Sequence, residues 1–179
     1  MKHLLLPLAV LLIPAAAQAQ ENKFQPGTVL SEFGKIAPVQ TDFKIPRGTK
    51  FKVLYDIVDG AEPGALNRKL NTPARFLNMH AAAGVPEKNM KLAVVIHGKA
   101  SLDVASAKAY GAAYEGAENG NVEIIKALIE QGVRVILCGQ SAAYYGVGHE
   151  DMLPGVEMAL SAMTAHAILQ QEGYTLNPF

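Results

Sequence analysis

The chain has 179 residues, half of them apolar, with 16 basic and 16 acidic side chains, one cysteine and no tryptophan. So much apolar material with so little charge excludes a disordered chain, and the even balance excludes attraction to a polyanion by bulk electrostatics, so no nucleic acid is expected as a partner. A single cysteine excludes an internal disulfide.

Met1-Lys2-His3 is a short basic start, residues 4–13 are an apolar run interrupted by Pro7, and Ala17-Gln18-Ala19 is a small-residue cleavage sequence. Together they read as a secretory signal peptide over residues 1–19, cut after Ala19, which predicts a periplasmic or secreted mature protein. The run is shorter than the roughly 20 apolar residues of a spanning helix and no second run follows, so no membrane span is expected after cleavage.

Residues 20–48 form an arm that mixes Phe24, Leu30, Phe33, Ile36, Phe43 and Ile45 with Pro26, Pro38 and Pro46. The apolar residues keep neither a helix nor a strand period, so the arm reads as extended and irregular. That much apolar surface predicts packing along the domain or onto a neighbouring subunit, and the second option predicts a homo-oligomer.

Residues 49–179 read as one domain. Residues 51–58 are a strand rich in branched and aromatic side chains, ended by Asp59-Gly60 and Pro63-Gly64. Thr72 is placed to cap a helix with Pro73 at its first position, stopped by Gly84-Val85-Pro86. Residues 91–96 are a second strand, continuous enough in apolar residues to be covered on both faces. Residues 101–114 are alanine-rich and weakly helical. Asn121 is placed to cap a helix with Val122, Ile125, Leu128 and Ile129 on one face and Gly132 as its stop. Residues 133–138 are the third strand. A long loop over 139–154 is expected to lead into a helix over 155–172, with Val156, Leu160, Met163 and Ala167 in register, before a short last strand over 174–176.

Strands alternating with helices predict βαβ units, hence an α/β fold with a mostly parallel sheet of about four strands and helices on both faces. Ligands of such sheets bind outside the carboxyl ends of the strands. Three strand ends meet there: residues 56–59, His97-Gly98, and Cys138-Gly139-Gln140-Ser141.

Sharper motifs fail on inspection. Asp56, Asp59 and Glu62 after the first strand would repel a phosphate, and no complete glycine-rich phosphate loop occurs. His149-Glu150 lacks the second histidine of a zincin helix, and nothing in the spacing of His97, Cys138 and His149 supports a metal. Gly139-Gln140-Ser141 resembles a nucleophile elbow, with Asp151 and His166 following in hydrolase order, but Ala143 stands where the second glycine belongs.

Cys138 has two readings. It is a small buried hydrophobe ending an apolar strand, or a nucleophile placed where the strand opens onto small and polar residues. A helix beginning near Ser141 would favour its thiolate, and His97 would add a neighbour from the next strand end.

Several segments resemble, in order, the DsrE/DsrF-like proteins: Phe51-Lys-Val-Leu-Tyr-Asp56, Arg75-Phe-Leu-Asn78 with Ala83-Gly-Val85, Val94-Val-Ile-His-Gly98, Gly132-Val-Arg-Val-Ile-Leu-Cys-Gly139, and Leu153-Pro-Gly-Val156 with Gly173-Tyr174. The resemblance implies a compact three-layer α/β domain of flavodoxin-like topology that assembles into oligomers. It also implies a cysteine that carries sulfur as a persulfide, and Cys138 stands at that position. Substrate contacts are then expected from His97, Gly98, Gly139, Gln140, Ser141 and Asn78, with no metal and no organic cofactor. The partner is a small sulfur compound or a partner thiol protein. The well-understood members are cytoplasmic, so the leader of this chain points to an exported branch and argues against relay to tRNA. The competing reading is a non-catalytic oligomeric binding or structural protein with Cys138 in its core.

Overall fold

In the computed structural model, which describes residues 23–178, five strands form one sheet. They are β1 (Phe51–Ile57), β2 (Met90–Ile96), β3 (Arg134–Cys138), β4 (Glu157–Ala159) and β5 (Thr175–Asn177), in the order β4-β3-β2-β1-β5. Every neighbouring pair is parallel. The helices are α1 (Asn71–Ala82), α2 (Ala107–Ala113), α3 (Val122–Glu130), α4 (Gly139–Tyr145) and α5 (Ala162–Gln171). The segment read as a signal peptide, residues 1–19, lies outside the described residues. None of the described helices is long and apolar enough to cross a membrane.

Side chains alternate across a strand, so each strand supplies two cores. Val53, Tyr55 and Ile57 of β1, Leu92, Val94 and Ile96 of β2, and Val135 and Leu137 of β3 face the larger core, which all of α1 to α4 help to close. Ile124, Ile125 and Leu128 of α3 are wholly buried there, each worth about 2 kcal/mol of apolar transfer. The alternate residues, Leu54, Ala93, Val95 and Ile136, face a smaller core closed by Ala165 and Leu169 of α5 and by Tyr174. Among the described residues, one face of the sheet therefore carries four α-helices and the other a single one.

The structure corrects the expected elements in five places. The sheet has five strands rather than about four. The helix expected over 155–172 is two elements: β4, held to β3 by a two-pronged pair in which Arg134 Nε and Nη2 donate to Glu157 at 2.9 and 2.8 Å, and then α5, which Ser161 caps. Ser161 is extended and its hydroxyl accepts from the Thr164 N–H at 3.0 Å, an N-cap that fixes where α5 begins. Leu160 and Met163, expected to face inward, are 73% and 80% exposed. The loop expected over 139–154 opens with α4, which follows β3 without a break. Thr72 does not cap α1: a 3-10 turn over Arg68–Leu70 leads into that helix, and Asn67 caps the turn by accepting from the Lys69 N–H at 3.0 Å. Asn121 precedes α3 as expected, but its side-chain oxygen Oδ1 accepts from the Asn67 N–H at 2.6 Å instead of capping the helix.

Between Gln25 and Ile36, which form an antiparallel bridge, the arm packs on α1 of its own domain, burying Leu30 and Ile36. Asn78 is the clamp. Its side-chain oxygen accepts from the N–H groups of Val29 and Leu30 at 3.1 and 2.9 Å. Its amide donates to the carbonyls of Leu30, Phe33 and Gly34 at 2.9 to 3.1 Å.

Candidate functional site

Strand parity builds the site. Cys138 is two residues beyond Ile136 and so shares its face, the one covered by α5. His97 follows Ile96 in an extended conformation and still donates its N–H to the Ile57 carbonyl at 3.0 Å, so the ladder reaches it and its side chain falls on that same face. Asp56, two residues beyond Leu54, does likewise. The pairing Ile96↔Leu137 puts His97 opposite Cys138. Strands lie about 4.8 Å apart, so both side chains leave the sheet from adjacent positions. Cys138, His97 and Asp56 thus occupy three neighbouring strand ends.

The thiol sits at the junction of β3 and α4, in the N-cap position of that helix, and Cys138 is 5% exposed. Burial pushes its thiol upward, but this is outweighed by hydrogen bonds from the Ser141 hydroxyl and from the N–H groups of Ser141, Ala162 and Gln140, so that the thiol lies below its ordinary value. The Ser141 hydroxyl also accepts from the Gly98 N–H at 3.0 Å, joining the end of β2 to the sulfur site. Ala162 is the first residue of α5, so two helix beginnings converge on one sulfur.

The glycines here are spaced by contact. A Cβ on Gly139 would stand 2.7 Å from the Ala159 carbonyl oxygen, and Gly98, at φ +56°, would bring one to 2.8 Å from Val58. Gln140 donates its side-chain amide to the Leu160 carbonyl at 3.3 Å, tying α4 to the end of β4.

Six residues expected at the site therefore gather: Cys138, His97, Gly98, Gly139, Gln140 and Ser141. Asn78 does not. It is fully buried in the middle of α1 with both ends of its amide committed to the arm, so its expected substrate contact is corrected to a structural role. Two further residues join that were not among the expected substrate contacts, Asp56 and His166. His166, on α5, meets Asp56 Oδ1 through Nε2 at 2.7 Å, and His97 Nε2 meets Asp56 Oδ2 at 3.1 Å. The parity of Asp56 with Leu54 was readable in the sequence; the reach of His166 was not.

The hydrolase order fails in space. His166 is paired with Asp56, and Asp151 accepts from the Gly148 N–H at 3.2 Å, so neither serves Ser141. Among the described residues, no group of three or more His, Cys, Asp or Glu side chains is arranged to hold a metal. A groove of about 610 Å³ lies between the start of β1 and β5 and is lined by Lys50, Phe51, Phe76 and Leu176 among others, with no Cys, His, Asp or Glu.

A parallel sheet with a perturbed thiol at its carboxyl edge defines an α/β protein with a candidate nucleophile in the strand-end crevice. The chain belongs to the DsrE/DsrF-like family, which it matches over residues 64–178. Its fold is similar to that of MTH1491, a protein of unknown function from Methanobacterium thermoautotrophicum, with a TM-score of 0.55 at 18% identity, over 73% of this chain and all of that one. It is also similar to the YchN protein of E. coli, with a TM-score of 0.51 at 16% identity, over 72% of this chain and all of that one. No curated protein matches the chain in sequence.

Proposed function

We propose that this protein is an exported sulfur carrier that holds sulfane sulfur as a persulfide on Cys138. The observation that carries the reading is the placement of the thiol at the β3–α4 junction, in the N-cap position of α4 and across from His97, where the Ser141 hydroxyl and the N–H groups of Ser141, Ala162 and Gln140 act to lower it against the opposing effect of burial. A thiol kept only as filler has no need of four donors, since an uncharged S–H accepts hydrogen bonds weakly. Membership of the DsrE/DsrF-like family, which is linked to sulfur relay, supports the same chemistry.

In loading, the Cys138 thiolate attacks a sulfane sulfur of a polysulfide. A Cys138 S–S bond forms as a donor S–S bond breaks, and the displaced sulfur chain leaves as an anion that keeps the bonding electron pair. The sulfane sulfur moves without a metal or an organic cofactor. The N–H groups of Gln140, Ser141 and Ala162 that favour the thiolate also suit an anionic persulfide. The acceptor is a small thiol or the thiol of a partner protein. The exposed Leu160, Met163 and Ile168 beside the singly covered sheet face support a homo-oligomer, which light scattering on the purified protein would test. The leader sequence supports a periplasmic or secreted location.

Intact-mass measurement after incubation with polysulfide tests the carrier reading. A gain of about 32 Da, one sulfur atom, is expected in the wild type and absent in Cys138→Ser. No gain, or a gain that survives the substitution, sinks it.

A further inference from the structure

Beyond the groups that donate to the sulfur, one titratable cluster stands on the same sheet edge: Asp56, His97 and His166. Asp56 projects from β1, His97 from the end of β2 and His166 from α5, and the two imidazoles occupy the two oxygens of one carboxylate at 3.1 and 2.7 Å. A carboxylate engaged at both oxygens is fixed in rotation, and it fixes in turn which ring nitrogen of His97 carries a hydrogen: Nε2–H donates to Asp56. The other nitrogen, Nδ1, makes no hydrogen bond among the described residues and is left for chemistry. His97 stands between Asp56 and Cys138 on the same face of the sheet, and its side chain is 29% exposed, far more open than the thiol.

We propose that His97, oriented by Asp56, is the proton carrier for the Cys138 sulfur, so that Cys138, His97 and Asp56 form a working row across three adjacent strand ends. The proposal rests on the reading of Cys138 as a sulfur carrier and supplies the step that reading lacks, the release of sulfur. An anionic persulfide repels an incoming thiolate. The imidazolium of His97 gives its proton to Cys138–S–S⁻, forming Cys138–S–SH. The acceptor thiolate then attacks the outer sulfur; the new S–S bond forms as the Cys138 S–S bond breaks, and that electron pair stays on the Cys138 thiolate. The new acceptor persulfide returns its proton to His97. Charge and sulfur balance, and nothing is oxidised or reduced overall. Asp56 is a positioning residue in this scheme, and His166 fixes the plane of Asp56. The titratable groups brought toward His97 are Asp56 from β1, Cys138 from β3 and His166 from α5.

The test compares the wild type with His97→Gln, Asp56→Asn and Asp56→Glu. Asp56 and His97 are partly exposed, so these variants leave the cores intact. Two readouts are followed: alkylation of Cys138 by iodoacetamide as a function of pH, and release of sulfur from polysulfide-loaded protein to glutathione. Once loaded to completion with polysulfide, His97→Gln is expected to release its sulfur about 100-fold more slowly than the wild type. Its alkylation profile should lose the inflection that an imidazole neighbour imposes. Asp56→Asn should slow release about tenfold and displace that inflection, with Asp56→Glu restoring part of both. Wild-type rates and profiles in both His97→Gln and Asp56→Asn overturn the row. If the wild type takes up no sulfur, the carrier reading fails on its own, and the alkylation profiles still decide whether His97 serves the thiol.

Discussion

His166 and Asp56 stand 110 residues apart in the chain and meet at 2.7 Å. α5 packs over β2 and β3, so this bond carries the reach of the helix one strand further, to β1. The same helix gives its first N–H group, that of Ala162, to the Cys138 sulfur. One pin thus bears on both the docking of α5 and the polarity of the thiol pocket. His166→Ala is expected to lower stability by about 1 kcal/mol, read as a shift of the urea midpoint. It should also speed amide exchange in the first turns of α5. Unchanged protection there would show that the helix holds its place without Asp56.

The Ser141 hydroxyl serves two strand ends, accepting from Gly98 and donating to the Cys138 sulfur. Ser141→Ala removes the strongest single pull on the thiol, so its titration should move upward and alkylation near pH 7 should slow several-fold. The sign follows from the thiol's being lowered in the folded protein. Its contribution to stability is present above the unfolded thiol range, near pH 8.5, and is lost as pH falls through the folded value. Stability of the wild type relative to Ser141→Ala should therefore shrink on acidification across that window. A pH-independent difference between the two would exclude thiolate stabilisation by the hydroxyl.

Asn78 satisfies five backbone groups of the arm from inside α1. Deleting it leaves buried N–H and C=O groups without partners, which costs about 3 kcal/mol or more. Asn78→Ala should shift the denaturation midpoint by that amount and expose the arm to limited proteolysis, while Cys138 alkylation in the remaining folded protein stays at the wild-type rate. Lost alkylation in a folded variant would return Asn78 to the site.

Asp103 is almost fully buried beneath the loop that follows β1. Burial pushes its carboxyl upward, against hydrogen bonds from the Asn67 amide at 2.7 Å and the Ala61 N–H and the charge of Lys99. A raised acid contributes stability that is complete below the unfolded value, near 3.9, and fades as pH rises through the folded one. Asp103→Asn keeps an acceptor for Asn67 and removes the titration. The variant should gain on the wild type as pH climbs from about 4 toward 7, by urea midpoints at each pH. A constant gap across that range would mean that this carboxyl does not titrate with folding.

The parts of the fold that the sequence made legible are those that bury apolar residues on both sides. β2 and β3 were readable because Val94, Val95, Ile96, Ile136 and Leu137 leave no polar face, and β1 because Phe51, Val53, Tyr55 and Ile57 are branched or aromatic. β4 was not, because its three residues form a half-exposed edge held by the Arg134–Glu157 pair rather than by an apolar pattern. α4 was hidden by its start: the residue in its cap position is Cys138, which gives no capping signal. At the site, the strand ends announced Cys138 and His97. The partnership of Asp56 with His166 depends on where α5 docks, which no local pattern encodes. Asn78 was misjudged for a related reason, since its partners lie some 44 to 49 residues back in the arm.

β3 passes into α4 with no residue between Cys138 and Gly139. The direction of the sulfur is therefore counted out along the strand, and the count has only two answers, because neighbouring residues face opposite cores. One residue inserted between Ile136 and Cys138 would turn the thiol away from His97 and into the large core among Val94, Leu128 and Leu137. The chemistry of this edge thus depends on odd and even as much as on the identity of its residues, and a frame of one position separates a nucleophile from a piece of filling.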